Sequence, residues 1–179
     1  MQEYGIKIKK LRKEKGLTLK QLAEKTGLSV GFLSKIEHCR SNPSYPALQK
    51  ICFALDVTAS VFENEKPSLS EALPAVLTKE DRALIFSDEG GFKLESLFAD
   101  HDAFEITVMT LTGNDGRENV SRHRTNEFGV VLSGTLCTTV DGREYIARAQ
   151  ECMMIPKETV HNTKKIGEED CVSIWIRYR

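Results

Sequence analysis

The densest group of side chains able to do chemistry lies between Thr18 and Asn42, in TLKQLAEKTGLSVGFLSKIEHCRSN. Lys20, Lys35 and Arg40 are fixed cations, and Gln21, Ser29, Ser34, Ser41 and Asn42 carry amides and hydroxyls. Groups of this kind bind the oxygens of a phosphate backbone. Val30, Gly31, Phe32 and Ser34 are small or apolar, suited to approach base edges and thymine methyl groups in a groove. Neither set is useful unless a short, rigid element projects it outward.

Two short helices meet that need. Leu19, Leu22 and Ala23 recur at helical spacing, Thr18 precedes them as an N-cap, and Gln21 stands three residues on to complete the reciprocal cap. Gly27 follows where a left-handed C-terminal residue is wanted. Ser29 then caps a second helix whose Leu33 and Ile36 turn inward, leaving Val30, Gly31, Phe32, Ser34 and Lys35 for its outer face and first turn. Such a pair with a glycine turn is a helix-turn-helix, whose second helix reads DNA through its first residues. Upstream, Ile6, Ile8 and Leu11 carry a lysine-rich helix ending at Gly16. Downstream, Pro46, Leu48, Ile51, Leu55 and Val61 mark two further short helices, which makes five in residues 1–63.

Residues 5–62 resemble the lambda-repressor/Cro-like family, also called the xenobiotic-response-element (XRE) family, through LRKEKGLTLKQLAEKTGLS, FLSKIE and NPSYPALQKICFAL. The resemblance implies that Arg12 and Glu37 form a structural ion pair joining the first helix to the recognition helix, with neither touching DNA.

Charge agrees once the chain is divided. The whole protein carries a formal charge of −1. Residues 1–62 hold eleven Lys or Arg and five Asp or Glu, 11 − 5 = +6, and residues 63–179 hold fourteen and twenty-one, 14 − 21 = −7. A basic module joined to an acidic one suits a DNA reader carrying a second domain that stays off DNA. The stretch 64–81, with two prolines and many charges, reads as the linker between them. A run of eighteen apolar residues does not occur, and the N-terminus is charged rather than signal-like, so a soluble cytoplasmic protein with no membrane partner is expected. Cys39, Cys52, Cys137, Cys152 and Cys171 lack CxxC spacing and are expected to be reduced and mostly buried.

From residue 82 to 179 the period changes from helical to alternating. RALIFS, FKLESLFA, FEITVMTLT, EFGVVLSGTLCTTV, REYIA, CMMIP and CVSIWIRY are strand-like runs separated by turns, among them Asp141-Gly142, and they predict an all-β sandwich or barrel. The fold class is therefore α + β in separate domains. In SRHRTNEFGVVLSG, His123 is followed four residues later by Glu127 and then by Gly134, and in IPKETVH, Pro156 stands five residues before His161. These resemble the two signature motifs of the cupins, small jelly-roll barrels, over residues 104–176.

In a metal-binding cupin the first motif supplies two histidines and a glutamate and the second a third histidine. Here Ser121 stands where the first histidine belongs, Gln150 and Glu158 replace two usual glycines, and Lys165 replaces an asparagine. His123, Glu127 and His161 remain. Two imidazoles and a carboxylate can hold a divalent metal, Zn, Fe, Mn or Ni, or can bind a polar effector by hydrogen bonds without metal. Both readings stay open on sequence alone. His101 and His38 read as surface residues.

A Cro-like module followed by a cupin is similar to bacterial transcription regulators whose barrel senses a small molecule. That implies a homodimer placing its Ser29-capped helices in successive major grooves about 34–36 Å apart. Lys20, Gln21, Lys35, Arg40, Ser41 and Asn42 would grip phosphates, and Val30, Gly31, Phe32 and Ser34 would meet base edges. The rival expectation is an enzyme, because His123, Asn126, Glu127 and His161 also keep the local pattern of mononuclear iron epoxidases acting on hydroxyalkyl phosphonates, which share this domain order.

Overall fold

The computed structural model describes residues 4–62, 76–97, 104–113 and 119–178. Contacts divide the chain into two compact units, 1–62 and 63–179. The linker expected over 64–81 lies outside the described residues as far as 75, and so does His101; residues 79–81 form a short 3-10 turn.

The N-terminal unit contains α1 (Tyr4–Glu14), α2 (Leu19–Thr26), α3 (Val30–Glu37) and α4 (Tyr45–Leu55). The expected fifth helix is a 3-10 turn, Ala59–Phe62, so the five-helix expectation is corrected to four α-helices and a turn. Asp56 explains the break: it ends α4 in the left-handed conformation, and six residues then bring Phe62 back to pack at a tilt against Tyr4, ring centroids 5.8 Å apart. Ile8, Leu22, Leu33, Ile36, Leu48 and Ile51 form the fully buried core. Ile6, expected on the inner face of α1, is 54% exposed; the buried face of that helix is Tyr4, Gly5, Ile8 and Arg12. Gly5 is required there, because a Cβ would lie 2.0 Å from the carbonyl oxygen of Ile36.

The second unit is wholly antiparallel in its pairings. Its strands are β1 (Ala83–Ser87), β2 (Phe92–Ser96), β3 (Phe104–Leu111), β4 (Asn119–Ser121), β5 (Asn126–Ser133), β6 (Thr135–Val140), β7 (Arg143–Arg148), β8 (Cys152–Ile155), β9 (His161–Ile166) and β10 (Cys171–Tyr178). They form a six-stranded sheet in the order β1-β2-β3-β10-β5-β8 and a four-stranded sheet in the order β4-β9-β6-β7. This is the two-sheet jelly roll. Asp141 and Gly142, with φ of 47° and 80°, make the β6–β7 hairpin turn, both left-handed as a tight hairpin demands.

Two strands were absent from the sequence expectation, β4 and β9. In β9 the buried residues are His161, Thr163 and Lys165, so its inward face is polar and shows no apolar alternation. Lys165 is satisfied inside by three backbone carbonyls, of Gly167, Glu168 and Glu169, at 3.0, 3.2 and 3.2 Å. Gln150 and Glu158, at positions where the resemblance expects glycine, have φ of 72° and 65°. The left-handed backbone persists there without the residue that adopts it most easily.

Candidate DNA-reading surface and barrel site

In the N-terminal unit the local chemistry of the sequence forms as written. Thr18 Oγ1 accepts from the Gln21 amide at 3.2 Å, and the Gln21 side-chain oxygen accepts from the Thr18 amide at 2.8 Å. Gly27 closes α2 with φ of 68°, and Ser29 Oγ accepts from the Phe32 amide at 3.1 Å to start α3. Each such cap is worth about 1 kcal/mol, so the turn between the helices is specified by its own residues.

Arg12 on α1 reaches Glu37 on α3 with two hydrogen bonds and Leu17 O with a third. The pair is buried, and the bond to Glu37 raises the guanidinium pKa further above its ordinary value, so the cation persists. With Leu33 and Ile36 at zero exposure, this pair anchors the inner side of α3.

The outer side is open. Val30, Gly31 and Lys35 are exposed, Phe32 and Ser34 half-buried, and Lys20, Gln21, Ser29, Arg40 and Asn42 exposed with Ser41 half-buried. His38 is exposed too, its ring bonded to Ser34 O at 2.7 Å. Cys39 takes φ of 55°, where glycine would be easier.

In the barrel, His123, Glu127 and His161 come together. Their candidate ligand atoms all lie within 4.8 Å, with His123 Nε2 3.3 Å and His161 Nε2 3.2 Å from the Glu127 carboxylate. Glu127 enters from β5, His161 opens β9, and His123 precedes β5 on a segment tied down by the Glu158 amide, which donates to His123 O at 2.6 Å. Asn126 is not part of the cluster: its side-chain oxygen accepts from the Lys157 amide at 3.1 Å. Ser121 lies directly opposite His161 in the β4–β9 ladder and is buried. His161 Nδ1 donates to Thr159 O at 3.2 Å.

Two residues that sequence reasoning missed complete the cluster. Arg177 on β10 faces Glu127 across one ladder and Glu105, on β3, across the other. Its Nε donates to Glu127, Nη1 donates to Glu105 Oε2 at 2.9 Å, and Nη2 donates to His123 Nε2 at 3.1 Å. Burial alone would raise the Glu127 carboxyl, but Arg177, with His123 and His161, overrides it and holds Glu127 well below the usual carboxylate range. Burial, then the Arg177 charge, pushes the His123 imidazole down to about 3, so it is neutral near pH 7.

The strand parity of the sequence points away from Arg177. In CVSIWIRY, one parity holds Cys171, Ser173, Trp175 and Arg177, and the other Val172, Ile174, Ile176 and Tyr178. An apolar-in rule points the second set inward. The structure buries the first. Gly129 permits this, since its neighbour across the ladder is Trp175, whose ring lies 2.7 Å from where a Cβ would be.

Comparison with known proteins agrees with both units. The helix-turn-helix family model matches residues 8–62 and the cupin-domain model residues 107–177. The HTH-type transcriptional regulator SutR of Escherichia coli K12 is 26% identical over 162 residues, covering 90% of this chain and 86% of that protein. The crystal structure of an HTH_3 family transcriptional regulator from Vibrio cholerae matches 99% of this chain and 96% of its own, with 25% identity and a TM-score of 0.78. Hydroxypropylphosphonic acid epoxidase from S. wedmorenis matches 99% of this chain and 97% of its own, with 13% identity and a TM-score of 0.52, a likeness of fold alone. SutR, whose match spans both units, is named a regulator, and the enzyme expectation has only shared architecture behind it. The chain is an HTH-type transcriptional regulator, an XRE-type helix-turn-helix domain followed by a cupin domain.

Proposed function

We propose that the regulator binds a two-fold operator as a homodimer and that a small polar effector in the cupin barrel alters that binding. The observation that carries the DNA half is the capped, solvent-facing first turn of α3, backed by the buried Arg12–Glu37 pair. Val30, Gly31, Phe32 and Ser34 meet base edges, while Lys20, Gln21, Ser29, Lys35, Arg40, Ser41 and Asn42 position the helix on phosphates. The +6 charge of residues 1–62 supplies the sequence-independent attraction.

The barrel half is supported by the polar inward cluster of Ser121, His123, Glu127 and His161, whose least buried member is His123. An effector acts only through different affinity for the two arrangements of the dimer. The second copy covers the outer face of the six-stranded sheet, where Met154, Phe128, Ile176 and Ile106 stand directly opposite one another in consecutive ladders. Met154 is 63% exposed there. The protein works where its DNA is, in the cytoplasm.

In vitro selection from random duplexes with the full chain tests the reading. Enrichment of a near-palindromic site, bound with an affinity that a small molecule shifts, is the expected result. Binding with no sequence preference overturns the DNA half, and a selected site indifferent to every small-molecule pool overturns the barrel half.

A further inference from the structure

His123, Glu127 and His161 have the spacing of a divalent-metal site, but the residues around them do not fit a metal, and we infer that the Arg177 guanidinium is the resident cation of this barrel in its place. The first reason is the lone pair of His123. Arginine only donates hydrogen bonds, so the Nη2 contact at 3.1 Å means that His123 Nε2 accepts. A ring nitrogen has one lone pair in the plane, and a metal would need that same pair.

The second reason is charge. Arg177 lies between Glu127 and Glu105 in the inward row, opposite one on each neighbouring strand, and donates to both. Glu127 is the only carboxylate of the candidate ligand set, and one of its oxygens is already bound to a fixed cation. A divalent ion would sit against a guanidinium that is 8% exposed and held by its partners on three sides. Repulsion between like charges is strong where water is excluded.

The third reason is independent of Arg177. Ser121 is the Cα partner of His161 across the β4–β9 ladder, at the place where the cupin resemblance expects a fourth donor, an imidazole. The chain thus lacks one ligand and supplies a cation of its own, and both changes reduce metal affinity. The consequence for the regulator is that its barrel state does not depend on metal supply, which deepens the effector reading of this same cluster. Its test is separable, because metal content is read without DNA or effector.

The full chain, produced in metal-supplemented medium and purified without chelator, is analysed for bound metal and titrated with Co(II), whose visible bands report tetrahedral or five-coordinate ligation. Substoichiometric metal and no visible bands are expected. One equivalent of metal that His161→Ala loses would overturn the inference. The double variant Arg177→Met with Glu105→Gln removes the cation and its second counter-charge together, leaving the three donors. Saturable one-to-one Co(II) binding with visible bands is expected to appear in it, and to strengthen when Ser121→His is added. If the double variant keeps its near-ultraviolet spectrum yet gains no Co(II) binding even with Ser121→His, Arg177 is not what displaces the metal. Should the variants not fold, the metal content of the native chain still decides.

Discussion

Arg12 on α1 and Glu37 at the end of α3 form a two-pronged buried ion pair, Nε to Oε1 at 2.6 Å and Nη2 to Oε2 at 2.8 Å. The remaining guanidinium nitrogen, Nη1, donates to Leu17 O at 2.6 Å, so one side chain joins α1, the α1–α2 connection and the recognition helix. Glu37→Ala leaves that cation buried without its partner, a change that costs about 3–5 kcal/mol. Thermal unfolding of the N-terminal unit should shift down sharply and DNA binding should go with it. The double variant Arg12→Met, Glu37→Leu should recover much of the loss; equal damage from both would show that the pair contributes more than charge balance.

Lys35 is exposed on α3 and is expected to meet a phosphate. Lys35→Ala should weaken binding to all duplexes alike and reduce the salt slope of the binding constant by about one unit. Fluorescence anisotropy across a salt series measures it, and an unchanged slope removes Lys35 from the contact set.

Gly129 stands against Trp175, the only tryptophan of the chain. In Gly129→Ala the new methyl would lie 2.7–2.9 Å from three ring carbons. Overpacking of this kind costs about 1–3 kcal/mol. The Trp175 fluorescence spectrum and its urea midpoint report the shift directly, and a spectrum identical to the native one would contradict the close approach.

The barrel should lose stability in acid. His123 is pushed down to about 3 in the fold against an ordinary 6.5, so between those values the unfolded chain binds the extra proton. Its contribution is complete above about pH 6.5 and is lost as pH falls toward 3. Glu127, held below its ordinary 4.5, acts in the same direction, with its contribution complete above 4.5 and lost as pH falls below it. Urea midpoints followed by Trp175 should fall between pH 7 and 4.5, and His123→Asn should flatten that segment.

Met154 is exposed on the outer sheet face beside Phe128. Met154→Asp should convert the proposed dimer to monomer in sedimentation while leaving the circular dichroism unchanged. A native chain that sediments as a monomer at all concentrations would remove the proposed interface.

The amino-acid sequence alone determined the helix-turn-helix, because caps, a glycine turn and apolar spacing act within a few residues: Thr18, Gln21, Gly27 and Ser29 do in the fold what their types imply. Its resemblance to the two cupin motifs implied that His123, Glu127 and His161 meet, as they do in the structure. It did not show α4 ending at Asp56, β9 with its polar inward face, or the position of Arg177. The last two depend on which parity of a strand faces the barrel interior. In β10 the choice is made across the ladders, where Gly129 admits Trp175 and where Glu105 and Glu127 flank Arg177. A buried guanidinium is tolerable only between partners supplied by other strands, and so only the tertiary structure could decide that an arginine near the C-terminus belongs to the centre of the site.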